Sequence, residues 1–381
     1  MRILVISDKL YPDEYGGSCT VAYKLIEEWQ KNNIVDVFTC QKTSTSNDAL
    51  FKNNIYRLFK KKNPIISAHN LNNILRKNDF DIIITHSVYS WLIYYLSRIF
   101  YKTKKNNKVF SIFHGPWHKE AVLKYEGKHN YIKQNFIPPV MLLIEKLYCR
   151  KNDNFIFLSK YMQEELAKID YTIKNKNCYF IPGGVDINAF NREYTKNIAK
   201  SLIGIKPNIR VLFTLRRLEK RMGIDNLIEA IKLMNDKERD DYILLIGGKG
   251  TYKQYLEKKA QSISKNIRFL GFIPDNELNK YFCATDLFIV PTLDLEGFGL
   301  VNLESLAMGV PVLSTPQGGM VELAKEFDNL HLCTSNTIKG LKDGIETYTV
   351  LSNNIIYEKN LHNYAWKEIA KKYINIFKDV I

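Results

Sequence analysis

Asp286-Leu-Phe-Ile-Val-Pro-Thr-Leu-Asp-Leu-Glu-Gly-Phe-Gly-Leu-Val-Asn-Leu-Glu-Ser-Leu-Ala-Met-Gly-Val-Pro-Val-Leu313 is the stretch on which the fold is read. Its apolar run Leu287–Val290 stops at Pro291 and has the length and composition of a buried strand. An acidic loop follows, then Gly297-Phe-Gly299, then a helix over Leu300–Met308 and a second strand over Val312–Ser314. Strand, helix and strand in that order make the unit of a parallel sheet. Glycines at a helix entrance expose backbone N–H groups at the positive end of the helix dipole, a cradle for a phosphate. Glu296 stands just before the turn and Glu304 inside the helix, with seven residues between them. A carboxylate only accepts hydrogen bonds, so both are suited to gripping paired sugar hydroxyls.

The same alternation runs outward in both directions. Upstream in the second half lie strands Arg210–Leu215, Tyr242–Ile246 and Ile267–Leu270, with helices near Ile224–Met234, Tyr252–Ser262 and Asn276–Phe282. The first half offers strands Ile3–Ser7, Ile34–Thr39, Asp81–Thr85, Val109–Phe113 and Asn154–Leu158, with helices over Gly17–Lys31, Ser87–Tyr101 and Lys160–Lys168. A chain of 381 residues is long enough for two such cores. The expected class is α/β, with two Rossmann-like doubly wound domains facing across a cleft and ligands at the carboxyl ends of the strands. The turn-rich Ile181-Pro-Gly-Gly-Val-Asp186 marks the linker. Domains are therefore expected over 1–183 and 184–362, with an amphipathic closing helix within 363–381.

Composition narrows the class. Six cysteines are scattered with no Cys-x-x-Cys pair, which reads as buried, reduced thiols in a cytosolic protein. The strand that begins at Met1 leaves no room for a signal peptide, and no apolar run reaches the roughly 20 residues that span a bilayer. The net charge is +15, and Phe51 to Arg150 supplies most of it, with 18 Lys/Arg against 5 Asp/Glu. Such a face fits an anionic membrane surface, nucleic acid or an acidic substrate, and a Lys/Asn/Ile-rich composition explains it equally well. No recognition helix, zinc finger or RNP-like aromatic string points to nucleic acid.

The 286–313 segment resembles the Glu-x7-Glu signature of family 4 glycosyltransferases, retaining enzymes of the GT-B fold. The resemblance implies that Glu296 contacts the donor sugar and Glu304 the nucleotide ribose. It gives the diphosphate to the amides of Phe298, Gly299 and Leu300. Thr214-Leu-Arg-Arg-Leu-Glu-Lys-Arg-Met-Gly223 is similar to the family's Gly-Arg-Leu-x-x-x-Lys-Gly element, with Arg217 on its arginine. Arg216 replaces the glycine and Met222 the lysine, so Arg221 is taken as the second cation against the leaving diphosphate, an exposed surface charge being the alternative. Gly247-Gly-Lys-Gly250 resembles the glycine-rich turn beside the nucleotide, which gives Gly248 to the donor, although such turns often only reverse the chain. Phe272 and the Ile273 backbone resemble the lining of the base pocket, or else core.

In the first half, Gly16 and Gly17 open a helix and match the family's Gly-Gly, which implies amides directed at the donor phosphate. His114-Gly115 follows a strand and resembles the family's histidine beside the donor sugar; His118 and Lys119 are candidates for the acceptor. No acidic metal-binding cluster lies beside the phosphate elements, so no metal or other cofactor is expected. The implied partners are a UDP-, GDP- or ADP-linked sugar and a glycan or lipid-linked acceptor. A sugar-nucleotide epimerase or phosphorylase of the same fold, needing no separate acceptor, is the rival enzyme.

Overall fold

Both parallel sheets are present in a computed structural model of the chain, which describes residues 1–41, 47–101, 107–125, 134–234, 241–263, 266–351 and 358–381. The chain divides into two units, Met1–Gly183 with Trp366–Ile381, and Gly184–Ala365. The second unit thus runs three residues past the expected 362. Val185 pairs with Ala365 in a parallel bridge, and the Val185 N–H donates to the Tyr364 carbonyl at 2.8 Å, which keeps 363–365 with that unit.

In the first unit the strands are β1 (Arg2–Ile6), β2 (Ile34–Cys40), β3 (Ile55–Phe59), β4 (Ile82–Thr85), β5 (Lys108–Phe113), β6 (Asn154–Phe157) and β7 (Asn177–Phe180). They lie in the order β3-β2-β1-β4-β5-β6-β7, all parallel. The order reverses between β1 and β4, where the loops at the carboxyl ends diverge and leave a crevice for ligands. β3 and β7 are additions to the sequence reading. Both are edge strands of mixed polarity, so neither shows an apolar run. Helices Pro64–Lys77, Trp117–Tyr125 and Ile137–Lys151 are also additions. The closing helix, Trp366–Val380, docks on this unit: the Trp29 indole N–H donates to the Ala370 carbonyl at 3.2 Å, and Phe377 packs 5.0 Å from Phe110.

The second unit holds β8 (Arg210–Leu215), β9 (Tyr242–Gly247), β10 (Ile267–Gly271), β11 (Leu287–Val290), β12 (Val312–Ser314) and β13 (Leu330–Leu332), in the order β10-β9-β8-β11-β12-β13. Its reversal falls between β8 and β11, which carry the two loops richest in candidate residues. Asp286, the first residue of the deciding stretch, fixes that junction. Its carboxylate accepts from the Val211 N–H at 2.8 Å and pairs with Lys196 at 2.7 Å and Lys200 at 3.1 Å. Those lysines sit on helix Lys196–Leu202, another addition to the elements read from the sequence.

All six cysteines are free, with Cys40 and Cys178 only partly buried rather than buried as expected. Among the described residues no helix is long and apolar enough to cross a membrane. Of the aromatics interleaved with the basic stretch, Phe59 is core and Phe136 is exposed. Lys102, Lys104, Lys105, Lys128, Tyr131 and Lys133 lie outside the described residues.

Candidate functional site

Three loops at the carboxyl ends of β8, β9 and β11 interlock in the second unit, and glycine makes this possible. A Cβ on Gly223 would lie 1.8 Å from the Pro291 carbonyl oxygen, and one on Gly248, at φ +128°, 1.8 Å from that of Arg216. The contacts are sealed by backbone hydrogen bonds, Leu218 N–H to Lys249 O and Leu293 N–H to Arg221 O, each 2.9 Å. The Gly248 N–H itself donates to Gly271 O at 2.6 Å. The glycine-rich turn therefore packs the loops together, with the Gly248 amide used inside the protein.

Glu296 is buried, and its carboxylate is held from inside the protein. Arg216 pairs with it, and Thr292 donates to it at 3.0 Å while accepting from Arg216 at 2.8 Å. Burial alone would push the Glu296 pKa up; the Arg216 guanidinium, the Thr292 hydroxyl and the charge of Arg221 outweigh it and hold the group below the ordinary glutamate value. Arg216 also reaches the Met222 sulfur at 3.4 Å. Met222 is core, packed with Leu218, Ile224 and Leu227, so position 222 faces away from any site that needs a cation there. Arg217 is exposed and Arg221 partly so. Arg221 donates to the carbonyls of Asp294 (3.3 Å) and Leu295 (3.2 Å), strapping down a loop in which Leu295 has φ 55°. A non-glycine residue in that region is strained and persists only when its surroundings hold it. Arg221 is thus partly structural, more than the surface charge or the phosphate ligand of the sequence reading.

Helix Leu300–Ala307 begins at Gly299, φ +75°, with no side chain capping it. A Cβ there would meet Asn302 Nδ2 at 2.6 Å, so glycine is needed for the turn. Phe298 is buried against Tyr364, leaving its backbone rather than its ring for the site. Glu304, one turn into the helix, is half-buried, and its carboxyl has no hydrogen-bond partner among the described residues. Burial, with the nearby charge of Asp275 adding, pushes its pKa up to about 7. A half-exposed carboxyl with no protein donor is open to the hydroxyls of a ligand. Phe272 is 37% exposed with the Lys249 ammonium 4.7 Å over its ring, and Ile273 is buried beside Gly247.

In the first unit Gly16 precedes helix Gly17–Trp29 with φ +146°, a conformation that favours glycine. His114 follows β5, and its Nε2 is buried without a partner. Burial lowers its pKa to about 4, with Asp8 opposing and Lys9 assisting, so the ring is neutral at physiological pH. His86, at the end of β4, stacks on it at 5.8 Å and 19°, with both ring nitrogens unpartnered. His118 and Lys119 are engaged elsewhere. His118 Nδ1 lies 2.5 Å from the buried Glu145, which also accepts the Trp117 N–H, and Lys119 pairs with Glu165 at 2.6 Å. Both side chains are thus held by buried carboxylates of the first unit.

Residues 196–368 match the family described as glycosyl transferases group 1, and residues 15–189 match Glycosyltransferase Family 4. The chain belongs to glycosyltransferase family 4. It is 30% identical over 254 residues to an uncharacterized glycosyltransferase of Methanocaldococcus jannaschii, covering 62% of each chain. It is 34% identical over 150 residues to the GDP-mannose-dependent monoacylated alpha-(1-6)-phosphatidylinositol monomannoside mannosyltransferase of Corynebacterium glutamicum, covering 37% of this chain and 39% of that one. The matches span less than two thirds of either relative. Anabaena HepE, solved with UDP and glucose, superposes over 100% of both chains with a TM-score of 0.77 at 15% identity, a likeness of fold: two Rossmann-like domains of the GT-B type.

Two residues of this family member escaped the sequence reading. Arg216 was noted only as a replacement for glycine, although a second arginine beside a loop of carboxylates is a signal for a buried pair. His86 follows a strand just as His114 does, and the argument applied to one applied to both.

Proposed function

We propose that this family member transfers a sugar from a nucleotide-sugar donor to an acceptor hydroxyl, with retention of configuration, in the assembly of a cell-surface glycan or lipid-linked oligosaccharide. The Glu304 carboxyl, free of any protein donor among the described residues, beside an uncapped helix entrance carries the reading. Ribose hydroxyls donating to Glu304 and a diphosphate on the Phe298, Gly299 and Leu300 amides satisfy both. Glu296, fixed and ionised, takes sugar hydroxyls on the carboxylate oxygen that Arg216 and Thr292 leave over. The neutral His114 hydrogen-bonds another hydroxyl without adding charge. The acceptor oxygen bonds to the anomeric carbon on the face from which the diphosphate leaves; that carbon–oxygen bond breaks, and the hydroxyl proton passes to the departing phosphate. Arg217, Arg221 and the helix dipole offset the charge that grows on the diphosphate, so the step needs no metal. The donor nucleotide is UDP, GDP or ADP.

Calorimetry tests the assignment. Glu304→Ala weakens nucleoside diphosphate binding by about 1.5–3 kcal/mol, the scale of a charged hydrogen bond. Unchanged affinity for all three nucleotides would remove Glu304 from the ribose. Turnover is also expected to survive exhaustive chelation by EDTA, and a loss restored by a divalent cation would contradict the metal-free step.

A further inference from the structure

A cavity of about 540 Å³ opens in the first unit at the carboxyl ends of β1, β2 and β3. Its lining is charged, and the charges do not balance. Asp13 is taken by Arg57 at 2.6 Å and Glu14 by Lys61. Asp8 accepts from the Ser87 hydroxyl at 2.6 Å. Lys9, Lys60 and Lys62 also line the cavity, and no carboxylate pairs with any of them among the described residues. One further group is unsatisfied. Thr39, on β2, lines the same cavity with its side chain wholly buried and its hydroxyl lacking a hydrogen-bond partner. Helix Pro64–Lys77 begins at this wall, capped by Asn63, and brings the positive end of its dipole.

With only the Asp8 carboxylate left over against Lys9, Lys60 and Lys62, the lining carries excess positive charge, and the buried Thr39 hydroxyl lacks an acceptor. An oxyanion answers both. Lysine is a point-charge ligand for phosphate, and a hydroxyl donates to a phosphoryl oxygen. The volume exceeds what one phosphate needs and falls in the range of pockets that hold a small molecule. We propose that this cavity binds the phosphate of a phosphorylated acceptor, either a soluble sugar phosphate or the phosphate of a lipid headgroup. The word acceptor rests on the function proposed above; phosphate binding does not.

The test uses the full chain and two probes: glucose 6-phosphate by calorimetry, and vesicles of phosphatidylglycerol in phosphatidylcholine by flotation. Lys60 and Lys62 are partly or fully exposed, so the double variant Lys60→Ser/Lys62→Ser keeps its fold, checked by its melting temperature. The parent is expected to bind at least one probe, glucose 6-phosphate but not glucose if the source is soluble, the anionic vesicles but not pure phosphatidylcholine if it is a lipid. The double variant loses about tenfold or more of that affinity, as for removal of charged hydrogen bonds. Thr39→Val weakens it further. Binding that is equal in parent and double variant, or absent for both probes, overturns the proposal. Nucleotide binding to Glu304→Ala is read separately. Phosphate bound through Lys60 and Lys62 in a protein that binds no nucleotide sugar would keep the cavity and discard the glycosyltransfer reading.

Discussion

At the scale of single residues, the most informative group is Glu304, because its protonation couples binding and stability. The folded protein holds its proton up to about pH 7, whereas an unfolded glutamate releases it near 4.5. The folded state therefore binds more protons between those values, and Glu304 costs stability progressively as pH rises through that window. Glu304→Gln is expected to raise the melting temperature at pH 8 and to leave it unchanged at pH 4; a gain at pH 4 instead would contradict the assignment. Nucleotide-sugar affinity should rise from pH 6 to pH 8 in the parent and stay flat in the variant. Arg216 behaves differently. Removing it strands a buried carboxylate, so Arg216→Ala is expected to destabilise by about 3–5 kcal/mol in denaturant melts. Met222→Lys buries an ammonium in the core and should destabilise as well. Arg217→Ala leaves the melt unchanged while lowering kcat by about 10²–10³. The residue types were legible in the sequence, and their pairings were not: Arg216 and Glu296 are 80 positions apart, and only the adjacency of β8 and β11 joins them.

At the scale of elements, the site of the second unit is three loops that act as one. Gly248 illustrates it. Gly248→Ala adds a methyl against the Arg216 carbonyl at a φ that alanine resists, so it destabilises by more than the ~1 kcal/mol of a tolerated exchange. Because that carbonyl precedes Arg217, kcat should fall together with stability, although the Gly248 amide touches no donor. A variant that melts early but turns over normally at low temperature would uncouple the loops. Elements with apolar runs, such as β8 and β11, were legible to within a residue. Edge strands β3, β7 and β13 were missed, although the edge strand β10 was legible from its apolar residues. Helix Pro64–Lys77 announced itself by Asn63 followed by proline, and Asn63 does accept the Ile66 N–H at 3.0 Å. β13, as short as β12, has His331 at its centre and so shows no apolar run.

At the scale of the whole molecule, the closing helix belongs to the first unit, where Trp29, Phe110, Tyr373 and Phe377 share a cluster. A chain ending at Ala365 uncovers Trp29 and Phe110 and is expected to lose the cooperative melt of the first unit; retention of that melt would make the helix dispensable. The excess charge of the Phe51–Arg150 stretch supports a second expectation, that the protein floats with anionic vesicles and not with neutral ones, and less so at a few hundred millimolar salt. Equal recovery on both would leave the charge as composition. Two doubly wound sheets were legible from alternation alone, since parallel strands buried on both faces must be apolar throughout. Which surfaces bind what was legible only by family likeness. The central claim is that the second unit binds a nucleotide sugar through Glu304. The most direct measurement is a thermal-shift panel of UDP-, GDP- and ADP-sugars on the parent and on Glu304→Ala, since a ligand that binds only the folded state raises its melting temperature. One nucleotide class is predicted to raise the parent's melting temperature and to raise the variant's by markedly less at the same ligand concentration. A panel with no shift in the parent, or the same shift in both proteins, would contradict the account.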